Sequence, residues 1–251
     1  MPAFRAHATV REAVESVLGQ TVPDLEIVVV DDASEEPIAD ALRGIDDPRL
    51  RVVRHSRTCG PAAARQSALR MARTPFVSQL DADDVWEPNY LETVLPRFDD
   101  PAVGLVYANV GIRWHPDGRD TAIYDPAGHP VDHFPRICES CPIPSATPTF
   151  RTDAVRAVGG YPQWLPITGE YYVYLRLART GWRFAYVHRK LATYSWPAPE
   201  RGISFDRSAG SREELRLWAA FVARHPRTRG PMRRVRFLLG REIRRARERR
   251  K

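Results

Sequence analysis

Leu25 to Ser34 reads LEIVVVDDAS. A near-continuous β-branched run of this kind belongs to a strand covered on both faces, and here it ends in two adjacent carboxylates. Phe76 to Pro88, FVSQLDADDVWEP, repeats the arrangement: a short apolar strand runs into Asp81, Asp83 and Asp84. Between and around these stretches the periodicity alternates. Residues 7–19 put Val10, Ala13, Val14, Val17 and Leu18 on one helical face. Ile38–Leu42 reads as helix and Leu50–Arg54 as strand. Gly60-Pro61 opens an alanine-rich helix, with proline in its first turn where no donor is lost. Asn89–Phe98 is the next predicted helix. Strands alternating with helices at this spacing predict α/β units around a mostly parallel sheet. Ligands of such sheets bind beyond the carboxyl ends of strands, so both acid clusters are expected in one crevice.

The texture changes after residue 100. Val103–Trp114 reads as a strand and 115–148 as a loop rich in Pro, Gly and His. Ala154–Val158 reads as a short helix and 170–179 as a longer one. Arg183–Val187 and Leu191–Trp196 read as two short strands, with a final helix near 211–224. Hydrophobic content of 43% in 251 residues is enough for a real core. No apolar run approaches the roughly 18 residues of a spanning helix, and the first turn of the chain lacks the apolar core of a signal peptide. The chain therefore reads as cytoplasmic.

Charge is unevenly placed. Residues 227–251 hold 12 basic and 2 acidic groups, while the remainder holds 26 basic and 29 acidic. A neutral body carries a cationic tail whose Val235, Phe237, Leu238, Leu239 and Ile243 form a short apolar stripe. That composition suits an anionic membrane surface, at the inner face of the plasma membrane. A docked or unstructured tail is the plain alternative; nucleic acid is the weaker partner, because no nucleic-acid-binding fold signature accompanies the charge. The three cysteines give no disulfide framework. His129, His133, Cys138 and Cys141 are zinc-ligand types at a spacing that fits no standard finger.

Packed carboxylates need a counter-charge. An EF-hand loop starting at Asp81 fails, with Val85 at position 5, Trp86 in place of the turn glycine, and Pro88 inside. A polar turn in which Asp84 caps the next helix is one remaining reading. The other is a Mg²⁺ or Mn²⁺ ion shared with substrate phosphate, since hard cations take one or two carboxylates plus phosphate oxygens.

At this point the sequence resembles the family 2 glycosyltransferases, inverting enzymes with the GT-A fold. VREAVESVLGQTVPDLEIVVVDDAS, GPAAARQSALRMA, FVSQLDADDVWEPNYLE, PSATPTFRTDAVRAVGGY and GEYYVYLRLARTGWRF follow the family's motifs in order over residues 1–196. The resemblance implies a GT-A domain over 1–205, with a nucleotide-binding half (about 1–100), an acceptor half (101–205), and C-terminal helices with the basic tail (206–251). It implies that Asp32 binds the nucleotide base, with Pro2 and Phe4 beside it. Asp81 would reach the ribose, Asp83 would hold the metal, and Arg65 would support the nucleotide pocket or form a structural ion pair. Glu170 falls at the family's catalytic Asp, with Gly169 at the Glu before it. The implied activity is inverting transfer from a nucleoside-diphosphate sugar, UDP-linked, to the hydroxyl of a glycan, lipid-linked glycan or secondary metabolite.

The sequence also departs from that pattern. Met1 stands where the first strand should be ending, which makes an upstream start the expectation. Arg5 and Gln66 replace asparagines, and Tyr194-Ser195-Trp196 lacks the His of the family's Tyr-Arg-x-His, which can complete the metal site. A degenerate protein that binds a nucleotide sugar without transferring it is the alternative. A nucleotidyltransferase has less support, because no Gly-rich, Lys/Arg-bearing loop opens the chain to hold a triphosphate.

Overall fold

The computed structural model of the chain describes residues 1–114, 119–124, 136–138, 141, 143–196 and 207–224. Strands β1 (Pro2–Ala3), β2 (Ile27–Asp31) and β3 (Leu50–Arg54) form a parallel sheet in that order, with Pro2 opposite Val30 and Ile27 opposite Leu50. Val29 and Val30 are fully buried, as the β-branched run requires. Helix α1 (Val10–Leu18) crosses from β1 to β2 and buries Val10, Ala13, Val14 and Val17 of the predicted stripe, with Leu18 half-buried at its end. Helix α2 (Ile38–Ala41) and helix α3 (Pro61–Met71) follow β2 and β3.

The second sheet is mixed rather than mostly parallel. It contains β4 (Phe76–Ser78), β5 (Val85–Trp86), β6 (Val103–Trp114), β7 (Arg119–Tyr124), β8 (Thr149–Arg151) and β9 (Arg183–Trp196). The order is β4-β8-β6-β9-β5, with β7 added on β6. Only β6 and β9 run parallel; the other pairs are antiparallel. The 12-residue β6 is buried on both faces: Leu105 and Tyr107 enter one hydrophobic cluster, Val106, Ala108 and Val110 the other.

Three sequence expectations need correction. The two short strands at 183–196 are one 14-residue strand. Val187 pairs with Ala108 and Lys190 with Asn109, so the polar His188 and Arg189 are bulged out without breaking the strand. The loop at 115–148 contains β7, RDTAIY, which pairs only with β6 among the described residues and whose charged first half suits an edge strand. The helix at 89–98 is only Tyr90–Val94 (α4), followed by a 3-10 turn at Leu95–Asp99. Pro96 there lacks the donor that would continue an α-helix.

Helices α5 (Thr152–Ala157), α6 (Gly169–Arg179) and α7 (Arg207–Arg224) complete the described chain. The N-cap of α6, Thr168, makes no local side-chain cap bond. The carboxylate of Glu213, from α7, supplies it: Oε1 accepts from the Ile167 amide at 2.7 Å, the Thr168 amide at 2.5 Å and the Thr168 hydroxyl at 3.0 Å. Two amides leading into the helix and the N-cap hydroxyl are thus satisfied by one buried carboxylate, which also lies at the positive end of the helix dipole. Leu217, Trp218 and Phe221 bury beside it, with Trp218 edge-on to Tyr171 at 5.7 Å. Replacing Glu213 by Gln keeps the shape and removes the charge. Urea denaturation should show Glu213→Ala destabilised by about 1–3 kcal/mol and Glu213→Gln by less. An unchanged midpoint for Glu213→Ala would remove this cap from the account.

Candidate functional site

The two carboxylates that end β2 do different work. Asp31 accepts from the Ser34 amide at 2.9 Å, from the Ile38 amide at 3.2 Å and from Arg54 at 3.1 Å. It shapes the turn and starts α2. Burial pushes its pKa up, but the Ser34 amide and hydroxyl, the Ile38 amide and Arg54 prevail and hold it below the usual range. Asp32 points the other way. Its amide donates to Ala3 O at 2.8 Å, and its carboxylate accepts from the amides of Cys59 (2.9 Å) and Gly60 (2.7 Å) and from His55 Nδ1 at 2.8 Å. Gly60, at φ +89°, is the N-cap of α3, so Asp32 rests on that helix's positive end. Pro2 and Phe4 flank Ala3, and Phe4 is exposed at 42%, an apolar face beside Asp32. Arg5 and Ala33, at φ +54° and +59°, occupy left-handed backbone on either side; asparagine adopts this more readily than arginine.

Five residues beyond Gly60, about 7.5 Å along the helix, α3 presents Arg65. Its Nη2 donates to Asp81 Oδ1 at 2.5 Å and lies 3.5 Å from Glu170 Oε2. Burial opposes the charge on Arg65, but Asp81 and Glu170 outweigh it and raise its pKa above the ordinary value. The ion-pair reading of Arg65 is therefore realised, and with two acids. The other acids lack such a partner. Asp83, on the exposed side of the turn, is pushed up to about 6, first by desolvation and then by Asp81. Asp84 is fully buried and raised well above its usual value by burial and by Asp83 and Asp81. It does not cap α4. Its Oδ1 accepts from the Ser195 amide at 2.9 Å and its Oδ2 has no hydrogen-bond partner. The end of β9 thus reaches the acid turn, but it brings Ser195 and the Tyr194 hydroxyl, which burial and the same three aspartates keep protonated.

Glu170, in the first turn of α6, is wired from behind. Gln79 Nε2 donates to Glu170 Oε2 at 2.6 Å and to Ser145 O at 3.0 Å; Gln79 Oε1 accepts from Tyr161 OH at 3.1 Å. The Tyr161 amide in turn donates to Gln66 Oε1 at 2.7 Å. Burial raises the pKa of Glu170, Arg65 lowers it and Asp81 raises it again; the carboxyl stands above the ordinary glutamate value. A Cβ on Gly169 would stand 3.0 Å from Ala62 Cβ, so a side chain there would require α3 and α6 to give by a few tenths of an ångström. Gln79 and His55 were not singled out in the sequence. Gln79's only signal is a polar residue just after a short, half-buried strand.

Asp81, Asp83 and Asp84 do not converge as three ligands on one ion; among the described residues the only such group is Asp32, His55 and Cys59. One or two of the acids at 81–84 remain suited to a hard cation that also takes phosphate oxygens. Of the zinc-type residues, Cys138 is buried and Cys141 is exposed, while His129 and His133 lie outside the described residues. So does the basic tail at 227–251. No helix among the described residues is long and apolar enough to cross a membrane. Two surface hollows, of 230 and 500 Å³, lie away from these acids, one against Gln66 and Gly160, the other against Phe76 and Phe98.

The family model for glycosyl transferase family 2 matches residues 1–144. The chain is 31% identical over 125 residues to the succinoglycan biosynthesis protein ExoO of Rhizobium meliloti, covering 50% of this chain and 36% of that protein. It is 31% identical over 112 residues to the UDP-Glc:alpha-D-GlcNAc-diphosphoundecaprenol beta-1,3-glucosyltransferase WfgD of Escherichia coli, covering 45% and 44%. It thus spans less than half the length of these relatives. Among solved structures, S. aureus TarS 1-349 in complex with UDP-GlcNAc superposes with a TM-score of 0.68 at 16% identity, covering 88% of this chain and 65% of that one. The mannosyltransferase PcManGT of Pyrobaculum calidifontis, in complex with GDP-Man and Mn²⁺, gives 0.67 at 20% identity, covering 94% and 66%. The fold is GT-A. Half the chain and more lies within one family model, and the conclusion follows that this chain belongs to glycosyl transferase family 2.

Proposed function

We propose that this chain transfers a glycosyl group, with inversion, from a nucleoside-diphosphate sugar to an acceptor hydroxyl. One observation carries the reading: Arg65 ties Asp81, from the donor side, to Glu170, from the acceptor side, within 3.5 Å of one guanidinium. The same helix begins on Asp32. The relatives named above act on or bind UDP-Glc, UDP-GlcNAc and GDP-Man. Asp32 would accept a hydrogen bond from the base, near the exposed ring of Phe4, and a uridine donor is favoured because two of the three named relatives with a stated donor use or bind UDP-sugars.

The acid turn fits a divalent cation. Three carboxylates share a single nearby guanidinium, Asp83 and Asp84 are raised by desolvation and mutual repulsion, and Asp84 Oδ2 is unpartnered. Asp83, with Asp81, would hold Mn²⁺ or Mg²⁺ together with the diphosphate. Such an ion offsets charge on the departing diphosphate. Glu170 removes the proton of the acceptor hydroxyl as its oxygen bonds to the anomeric carbon, opposite the bond that breaks to the diphosphate. Gln79 fixes the carboxylate that does this. The relatives' subjects, succinoglycan and a diphosphoundecaprenol-linked sugar, point to a polysaccharide or lipid-linked acceptor. The tail at 227–251 would then hold the chain on the anionic surface where such an acceptor resides.

Calorimetry with UDP should show binding that requires Mn²⁺ or Mg²⁺, weakened at least tenfold by Asp83→Ala; equal binding with and without metal would overturn the assignment of Asp83. Glu170→Gln should keep UDP affinity and lose about 10²- to 10⁴-fold in transfer. Turnover untouched by that change removes Glu170, and turnover absent already in the wild-type chain with UDP-Glc, UDP-GlcNAc and GDP-Man favours the non-catalytic alternative. Because the base must be ionised and its pKa is raised, kcat/KM should fall as pH drops through a value above the roughly 4.3 of a free glutamate. Deleting 227–251 should abolish co-sedimentation with anionic liposomes and spare UDP binding; co-sedimentation that survives the deletion rules out the membrane role of the tail.

A further inference from the structure

Asp32, His55 and Cys59 each present a metal-ligand atom, all within 4.8 Å of one another. We infer that these three side chains form a zinc site with its fourth position open to solvent. This is separate from the hard-cation position at Asp81 and Asp83.

The donor set is the first argument. Carboxylate, imidazole and thiol are a mixture that suits Zn²⁺ and is foreign to Mg²⁺ and Mn²⁺ binding by oxygen alone. Geometry is the second. Tetrahedral zinc at ordinary bond lengths separates its ligand atoms by about 3.3–3.5 Å. Asp32 Oδ1 and His55 Nδ1 are 2.8 Å apart and need to part only slightly. The Cys59 thiol gives up its contact with Arg57 O at 3.3 Å, and its proton passes to solvent as the thiolate binds. Thiolate and carboxylate together neutralise the ion.

The outer contacts are the third and strongest argument. A ligating histidine normally donates its other ring N–H to an oxygen, and a ligating carboxylate is itself hydrogen-bonded. Both conditions are already met. His55 Nε2 lies 2.9 Å from Ser67 Oγ, and Asp32 Oδ2 accepts from the Gly60 amide at 2.7 Å and from the Cys59 amide at 3.0 Å. When His55 Nδ1 takes the metal, Nε2–H donates to Ser67 with no further movement. Cys59 is exposed, which gives the ion a path in and leaves its fourth position for water. Asp32 is also the proposed base-binding residue. Zinc here would exclude the nucleotide and act as an inhibitor of donor binding; this second half rests on the reading given under Proposed function.

The test uses the full chain, stripped of metal by chelation and titrated with Co²⁺ and then Zn²⁺. Expected is a thiolate-to-cobalt absorption band that saturates at one equivalent and is displaced by Zn²⁺. Cys59→Ser should abolish the band, and His55→Ala should weaken Co²⁺ binding at least tenfold, by analogy with lost metal-site partners. Stoichiometric Zn²⁺ should slow N-ethylmaleimide labelling of Cys59, mapped by peptide mass, about tenfold in the unmodified chain, which needs no variant to fold. A band that persists in Cys59→Ser, or Cys59 labelled at the same rate with zinc, overturns the site. The competition is read separately by UDP calorimetry in Mg²⁺: a tenfold loss of affinity with one equivalent of zinc supports it. Unchanged UDP affinity while Cys59 is protected overturns the inhibition and leaves the zinc site standing. No UDP binding to the zinc-free chain overturns the donor reading instead, and the cobalt band still decides the metal.

Discussion

A single buried guanidinium holds the centre of this molecule together. Arg65 is 9% exposed and reaches Asp81 at 2.5 Å and Glu170 at 3.5 Å, from a helix whose first turn is seated on Asp32. Three segments remote in sequence are thereby fixed around one charge. Such an arrangement is costly to break: taking one partner from a buried pair costs about 3–5 kcal/mol, because the remaining charges are left without compensation. Here the remainder would be two carboxylates facing each other. The ion pair therefore constrains where the β4–β5 turn, α3 and α6 can lie. It also leaves Asp83 and Asp84 without a cation of their own, and burial with mutual repulsion raises the pKa of both; a bound cation would favour their ionised forms.

The rigidity of α6 has two sources that act on opposite ends of the same problem. Behind Glu170, the Gln79–Tyr161–Gln66 chain of hydrogen bonds removes its rotational freedom. Beneath it, Gly169 lets α6 approach Ala62 on α3 closely enough for Arg65 to reach across. The absence of a side chain at Gly169 and the position of Glu170 one residue on are thus parts of one close contact between α3 and α6.

Much of this was legible in the sequence, and the reasons are physical. The β-branched run at 25–30 and the apolar stripe of α1 bury what their periodicity says they bury, so the parallel sheet and its crossover were readable. Strand β9 was not, because His188 and Arg189 interrupt the apolar pattern while the backbone simply bulges around them. Strand β7 was hidden in a polar stretch, since an edge strand needs little apolar content. At the site, Asp32, Asp81 and Glu170 stand near one helix, but which acids would be paired was not readable. Asp84 looked like a cap and is a buried acceptor for Ser195, because its partner lies 111 residues away. Gln79 and His55 carried no motif; their roles come from what they touch across the fold.

The cap that Glu213 places on α6 has a consequence for how the protein is made. The residues it serves, Ile167 and Thr168, leave the ribosome about 45 positions before it. A nascent chain that has extruded the sheets and α3 already holds Asp32, Arg65 and Asp81, yet the amides of Ile167 and Thr168 at the start of the helix bearing Glu170 still lack their carboxylate. Synthesis must run into α7 before that terminus closes.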